Sequence, residues 1–333
     1  MCASAATQKF IDIGANLTDK VFRGLYRGQQ HHPDDLFTLL LRAFNAGLEK
    51  IIITAGSLAD TEEALALART DSRLFCTAGC HPTRCLEFQA NPNAYLNAIK
   101  ELAILNPDKV IAIGECGLDY DRENFCPITV QREHFVSQLR LAGELNLPLF
   151  LHCRAAHDDF IQLIEETNSV HFPNTPLHGV VHTFDGSFED ARRLLALNFY
   201  LGLNGCSLKT EENLKVVSAL PVDRILLETD APWCEIRPTH AGNKALFIVT
   251  PFLLGYKFVN TRFTYRKPQQ WDPKCLVKGR NEPVNIVQVA EVVAAVKGLS
   301  PAALAAQVYE NTLQVFSFPT APSVLEDKLP VTP

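Results

Sequence analysis

Leu149-Phe150-Leu151-His152-Cys153 is a short apolar run that turns polar at its end. Successive side chains of a strand point to opposite faces, so Leu149, Phe150 and Leu151 together demand cover on both sides. The same build recurs outward from it: Val110-Ile111-Ala112-Ile113-Gly114-Glu115 and Phe75-Cys76-Thr77-Ala78-Gly79 upstream, then Lys50-Ile51-Ile52-Ile53 and Phe10-Ile11-Asp12-Ile13-Gly14-Ala15-Asn16. Downstream come Gly179-Val180-Val181-His182, Phe199-Tyr200-Leu201-Gly202-Leu203 and Ile225-Leu226-Leu227-Glu228-Thr229-Asp230. That makes eight candidate strands.

Between them the spacing predicts helices over 34–46, 60–69, 130–145, 158–166 and 188–196, and after the eighth strand over 284–296 and 301–315. Helix starts are expected at Pro33-Asp34-Asp35 and Asn281-Glu282-Pro283, with caps, acids and proline in a first turn. Strand and helix in regular alternation imply a parallel sheet, and eight units favour a closed TIM-like (β/α)8 barrel with C-terminal helices. A doubly wound open sheet is the alternative, weakened because no Gly-x-Gly-x-x-Gly loop follows the first strand. One barrel domain is expected over 8–318, with an irregular insertion near 241–280 and a loose proline-rich tail over 319–333.

The 333 residues are 47% hydrophobic and 20% charged, a balance suited to a folded core rather than to disorder. The longest apolar run, Ala245 to Tyr256, is broken by Thr250 and Pro251 and falls short of the roughly 20 residues a membrane span takes. The N-terminus lacks the pattern of a secretory or transit peptide, so nucleus or cytoplasm is the expected address. The 10 cysteines are spread along the chain and several lie within apolar runs, as reduced buried thiols do. Cys76, Cys80 and Cys85 lack the Cys-x-x-Cys pairs of a structural zinc site. A net charge of −6 argues against binding duplex nucleic acid by bulk attraction, but leaves phosphodiester substrates open where metal ions neutralise charge locally.

In a parallel barrel the carboxyl ends of the strands form one shared rim, so each strand is read at its last residues. They are Asp12, Gly14 and Asn16; His81; Glu115; His152 and Arg154; His182; and Asp230. A lone His or Glu there is ordinarily a hydrogen-bonded loop residue. Two His and two carboxylates together, each following a buried strand, carry a heavy desolvation cost unless they pair with each other or with metal. Mixed imidazole and carboxylate ligands suit Zn, Mn or Mg, and such a site activates water for hydrolysis. His178 stands at the opposite end of its strand, which leaves His182 as the rim residue.

These residues fall in blocks that resemble the TatD-type deoxyribonucleases of the amidohydrolase-like barrel superfamily. The blocks are Asp12-Ile13-Gly14-Ala15-Asn16-Leu17, Ala78-Gly79-Cys80-His81-Pro82, Ile113-Gly114-Glu115-Cys116-Gly117-Leu118-Asp119 and Leu151-His152-Cys153-Arg154. They continue in Val181-His182-Thr183-Phe184, Glu228-Thr229-Asp230-Ala231-Pro232 and Arg280-Asn281-Glu282-Pro283, covering nearly the whole chain. The resemblance implies two divalent ions per chain, Glu115 shared between them, His152 and His182 on one, and Asp230 on the other while orienting the attacking water. It implies hydrolysis of DNA phosphodiesters, single-stranded and from a 3′ end, with RNA or tRNA as further nucleic-acid substrates and no obligate protein partner. Many relatives carry His-x-His at the end of strand one. Gly14-Ala15-Asn16 places this chain with the subset that does not, so exchangeable Mg or Mn is expected ahead of Zn.

Asp12, Asn16 and Asp119 are expected as weak ligands or as supports for the ligands, and His81, Arg154 and His157 as candidates to contact substrate. Arg262, Arg266 and Lys267 with Phe263, Tyr265 and Trp271 form either a solvated loop or a stacking surface for single strands. The apolar stretch 246–257 is extra against the family pattern. Two other readings keep the same barrel: an ester or amide hydrolase such as a D-aminoacyl-tRNA deacylase, and a barrel that only binds. The four intact rim residues weigh against the last.

Overall fold

Alternation along the strands builds the barrel. The computed structural model describes residues 8–244 and 263–319. In it eight parallel strands run β1 (Phe10–Ala15), β2 (Leu48–Ile53), β3 (Leu74–Ala78), β4 (Val110–Asp119), β5 (Leu149–Arg154), β6 (Gly179–Val181), β7 (Phe199–Leu203) and β8 (Ile225–Leu227), each paired with the next. A parallel bridge between Ala15 and Ala231 joins β1 to the segment after β8. Beside it the Asp230 N–H donates to Gly14 O at 2.8 Å and the Asn16 N–H to Ala231 O at 2.7 Å. The sheet therefore closes into a nearly complete (β/α)8 barrel, and the open-sheet alternative falls.

Ile52, Phe75, Ile111 and Phe150 point into the barrel beside Ile11 and Ile13, and Val315 and Phe316 close its floor. Their neighbours Ile51, Ile53, Leu149 and Leu151 face the surrounding helices. Both faces of each strand are thus dry, as the apolar runs require. The helices are α1 (Leu36–Asn45), α2 (Leu58–Ala68), α3 (Pro92–Leu105), α4 (Ile128–Leu145), α5 (His157–His171), α6 (Phe188–Ala196), α7 (Glu211–Ala219), α8 (Ile286–Lys297) and α9 (Pro301–Val315). Capping boxes at Ser187 and Thr210 start α6 and α7, each hydroxyl accepting the N3 backbone N–H.

Several expectations are corrected. Asp35 occupies the N-cap position of α1 but makes no capping bond; Asp34 instead accepts the Leu36 N–H at 2.9 Å. The Asp35 carboxylate is taken by Arg280, 1% exposed, which donates to both its oxygens at 2.8 Å and also to Glu282 Oε1 at 2.8 Å. Arg42 holds the other Glu282 oxygen. Glu282 is therefore half of a buried ionic clasp rather than a first-turn acid; Pro283 opens a single 3-10 turn, Pro283–Asn285, and α8 follows it.

The stretch after Cys234 is less irregular than expected, since Tyr265–Arg266 pairs in parallel with Leu276–Val277. Trp271 is no stacking surface for a ligand: it lies flat on His32, with ring centroids 5.6 Å apart, and donates to Asp35 at 2.9 Å. Phe263 and Tyr265 pack against the core. Arg262, the stretch 246–257 and residues 320–333 lie outside the described residues.

Candidate active site

Glu115 organises the rim. It was expected at the end of its strand, but β4 continues to Asp119. A register shift between Gly114 and Cys116 breaks the pairing with β5 there, which re-aims the Glu115 side chain into the barrel mouth. Glu115 Oε1 lies 2.8 Å from His182 Nε2, 3.0 Å from His152 Nδ1 and 3.5 Å from His81 Nε2. Three strands' ends thus deliver three imidazoles to one carboxylate oxygen.

The electrostatics follow from that crowding. Burial alone would raise Glu115, but His182, His81 and His152 outweigh it and hold the carboxyl well below its usual range. Burial acts on His182 in the opposite sense to its partners, and Glu115 and Glu228 win, holding it well above an ordinary imidazole. His152 is likewise raised against burial by Asp119 and Glu115. His81 is pushed down to about 3, because burial there exceeds what Glu115 returns. Asp230 is raised by burial, with Glu228 and Glu115 adding repulsion, to about 6.

The arrangement fits a divalent cation. Two groups, Glu115 with His152 and His182, and His81 with Asp119 and His152, each present donor atoms within 4.8 Å of one another. Both Asp119 oxygens, His152 Nε2 and Glu228 Oε2 are buried without a hydrogen bond. Asp119 Oδ2 and His152 Nε2 approach to 3.3 Å as an ion pair without hydrogen-bond alignment, which suits both atoms to take a metal ion. Asp119, expected as a weak ligand or a support, and His81, expected as a substrate contact, both stand inside a candidate ligand group. Asp230 stands outside both groups; it lines the same cavity, bonded to Asn16 Nδ2 at 2.9 Å and to the Cys234 thiol at 3.2 Å.

Asp12 is turned away from the cavity: its oxygens accept the Gly14 N–H at 3.2 Å, the Thr229 N–H at 2.9 Å and the Thr229 hydroxyl at 2.5 Å. Arg154 sits at the rim, paired with Asp121 at 2.9 Å. His157 starts α5 outside the cavity wall, its ring edge-on to Phe184.

Glu228 was not singled out from the sequence. It is fully buried, accepts the Thr183 N–H at 2.5 Å and Asn204 Nδ2 at 3.1 Å, and lies 3.5 Å from His182 Nδ1. The signal was its place directly after the apolar run Ile225-Leu226-Leu227, at the carboxyl end of the eighth strand. A Cβ at residue 14 would fall 2.7 Å from Glu228 Oε2 and 2.9 Å from Phe150 Cζ. Gly14 is therefore the space Glu228 occupies.

These groups floor an open cavity of about 900 Å³ whose walls carry Lys20, Arg84, Arg122 and Arg154. Residues 11–317 match the model of the family described as TatD related DNase. The chain is 43% identical over 314 residues to the deoxyribonuclease Tat-D of Schizosaccharomyces pombe, spanning 93% of this chain and 96% of the relative. It is 33% identical over 308 residues to the 3′-5′ ssDNA/RNA exonuclease TatD of Escherichia fergusonii, spanning 92% and 98%. A crystal structure of a TatD family hydrolase from Entamoeba histolytica superposes with a TM-score of 0.83 at 35% identity, covering 94% of this chain and 99% of that one. A carboxylate ringed by imidazoles at the mouth of an eight-stranded barrel, in a chain matched over more than nine-tenths of its length by such relatives, has one reading: it belongs to the TatD-related DNase family.

Proposed function

We propose that the chain is a divalent-metal-dependent deoxyribonuclease that hydrolyses phosphodiester bonds of single-stranded DNA from the 3′ end. The observation that carries it is Glu115 Oε1 shared by His152, His182 and His81 at the floor of an open cavity whose wall mixes Lys20, Arg84, Arg122 and Arg154 with acids. Glu115, His152, His182 and Asp230 would hold the ions, and His81 and Asp119 complete the ligand atoms around His152. A bound divalent ion supplies an activated water and neutralises charge on the phosphate.

The chain's own residues do the rest. Asn16 fixes the Asp230 carboxylate through its amide, which holds that side chain in place to orient the attacking water. Glu228 and Thr183 steady His182 from behind its Nδ1, which aims Nε2 at Glu115. Arg154 is held at the rim only by exposed Asp121 and can exchange that partner for a phosphate. The absence of imidazole at residues 14 and 16 favours Mg or Mn over firmly held Zn.

Replacing Glu115 by Ala removes divalent-dependent release of nucleotides from single-stranded DNA while circular dichroism stays unchanged. Chelation of the unmutated protein abolishes the same activity, and added Mg or Mn restores it. Activity that survives Glu115→Ala in a folded protein would falsify the assignment.

A further inference from the structure

Trp233 is one of two tryptophans in the chain and keeps 56% of its surface exposed. An exposed aromatic alone means little. What sets this one apart is the rigidity and place of its backbone. Its N–H donates to Asp230 O at 2.8 Å, and its carbonyl accepts Asn281 Nδ2 at 2.8 Å, while the Asn281 N–H is bonded to Pro232 O at 3.0 Å. The indole is thus carried on a fixed peptide three residues from the carboxylate at the reacting centre.

It also lies on a divide. Trp233 lines both the cavity that contains Glu115 and a second cavity of about 590 Å³, whose walls include Tyr26, Arg27 and His31. That volume lies within the ~300–1,000 Å³ range of small-ligand sites. Arg27 is exposed, and Tyr26 is anchored by a 3.1 Å bond between its hydroxyl and His32 Nε2. The second cavity therefore joins aromatic edges to a free-standing cation, which is the composition that single strands recognise: a π-face for a base and a charge for the phosphate.

We infer that Trp233 is the stacking platform for the nucleobase adjoining the scissile phosphate, and that the cavity behind it takes the next nucleotide with Arg27 at its phosphate. This rests on the nuclease reading. Stacking on an indole is indifferent to base identity, so the subsite selects for unpaired strand rather than for sequence; a base held in a duplex has no free face to offer.

The test varies the substrate first. Oligonucleotides with single abasic positions stepped across the cleaved bond are compared on the unmutated enzyme. The position next to the bond raises KM by about ten-fold, the loss expected for one base–aromatic stack, with kcat nearly unchanged. Trp233→Ala raises KM similarly for the intact strand and no longer distinguishes it from the abasic one, whereas Trp233→Phe keeps most of the discrimination.

Binding is read independently in a Glu115→Ala, Trp271→Phe protein, where oligothymidylate quenches the remaining indole and an abasic strand of equal length does not. An enzyme that cleaves single strands with a flat abasic series overturns the stacking role and leaves the nuclease reading standing. An enzyme with no cleavage of any single strand takes both down.

Discussion

Asp12 shows how little a residue's type says about its charge. Both of its oxygens are committed to Gly14 and Thr229, no cation is near, and burial, offset only in part by those bonds, raises its pKa from 3.8 to about 8. The folded protein therefore binds a proton that the unfolded chain releases above about pH 4. Stability from this group is complete below the unfolded value and declines as pH rises through the window from 3.8 to about 8. In the chelated protein, urea midpoints of the wild type fall across that window more steeply than those of Asp12→Asn, which keeps the neutral shape. Parallel slopes would show that Asp12 is ionised in the fold.

Residue by residue, the site was legible where chemistry coincided with strand position. His152 and His182 end apolar runs and meet at Glu115. Glu228 was hidden because a carboxylate inside a run reads as a capping or surface group until its partner, the empty side-chain position at Gly14, is known. Trp233 was hidden for a related reason: its meaning depends on two cavities that no linear pattern describes.

Among elements, the extent of the buried face does not by itself decide which helices the spacing shows. In α4 seven residues are buried, and the spacing predicted it within two residues at its start. Two that were not singled out, α3 and α7, bury only Ile99 and Ala103 in one and Val217 in the other. They start instead through chemistry at their ends: Asn91 accepts the Ala94 N–H, and Thr210 the Asn213 N–H.

The same logic makes a prediction for α6. Only Ala191 and Leu194 are buried, and Ser187 with Asp190 closes its first turn. Ser187→Ala should lower the free energy of unfolding by about 1 kcal/mol, measured by urea titration, with nuclease activity unchanged. A loss within error of zero would mean that packing on β7, not the cap, holds this helix.

The whole molecule is fastened at two places far apart in sequence. One is the seam at which Gly14, Ala15 and Asn16 meet Asp230 and Ala231; the other is the Arg280 clasp on Asp35 and Glu282. The glutamate of the clasp lies beside Asn281, which holds the Trp233 carbonyl, so the clasp also supports the rim. Arg280→Met leaves Asp35 and Glu282 buried without their shared partner and should cost about 3–5 kcal/mol in thermal or urea unfolding. Triple replacement of Arg280, Asp35 and Glu282 by apolar residues should recover part of that loss. A single variant as stable as the wild type would mean that the two acids find other partners.

Barrel closure was foreseeable from eight strand units, but the clasp was not, since 245 positions separate Arg280 from Asp35 and neither position looks unusual by itself.

That separation has a consequence during synthesis. At roughly 5–20 residues per second, a ribosome needs on the order of 10–50 s to go from Asp35 to Arg280. Until Ala231 is made the nascent chain carries a first strand with no last strand to meet, and until Arg280 a carboxylate with no guanidinium. The growing sheet has an open edge until about seven-tenths of the chain has been made, and whatever shields that edge in the cell acts before the enzyme has a rim at all.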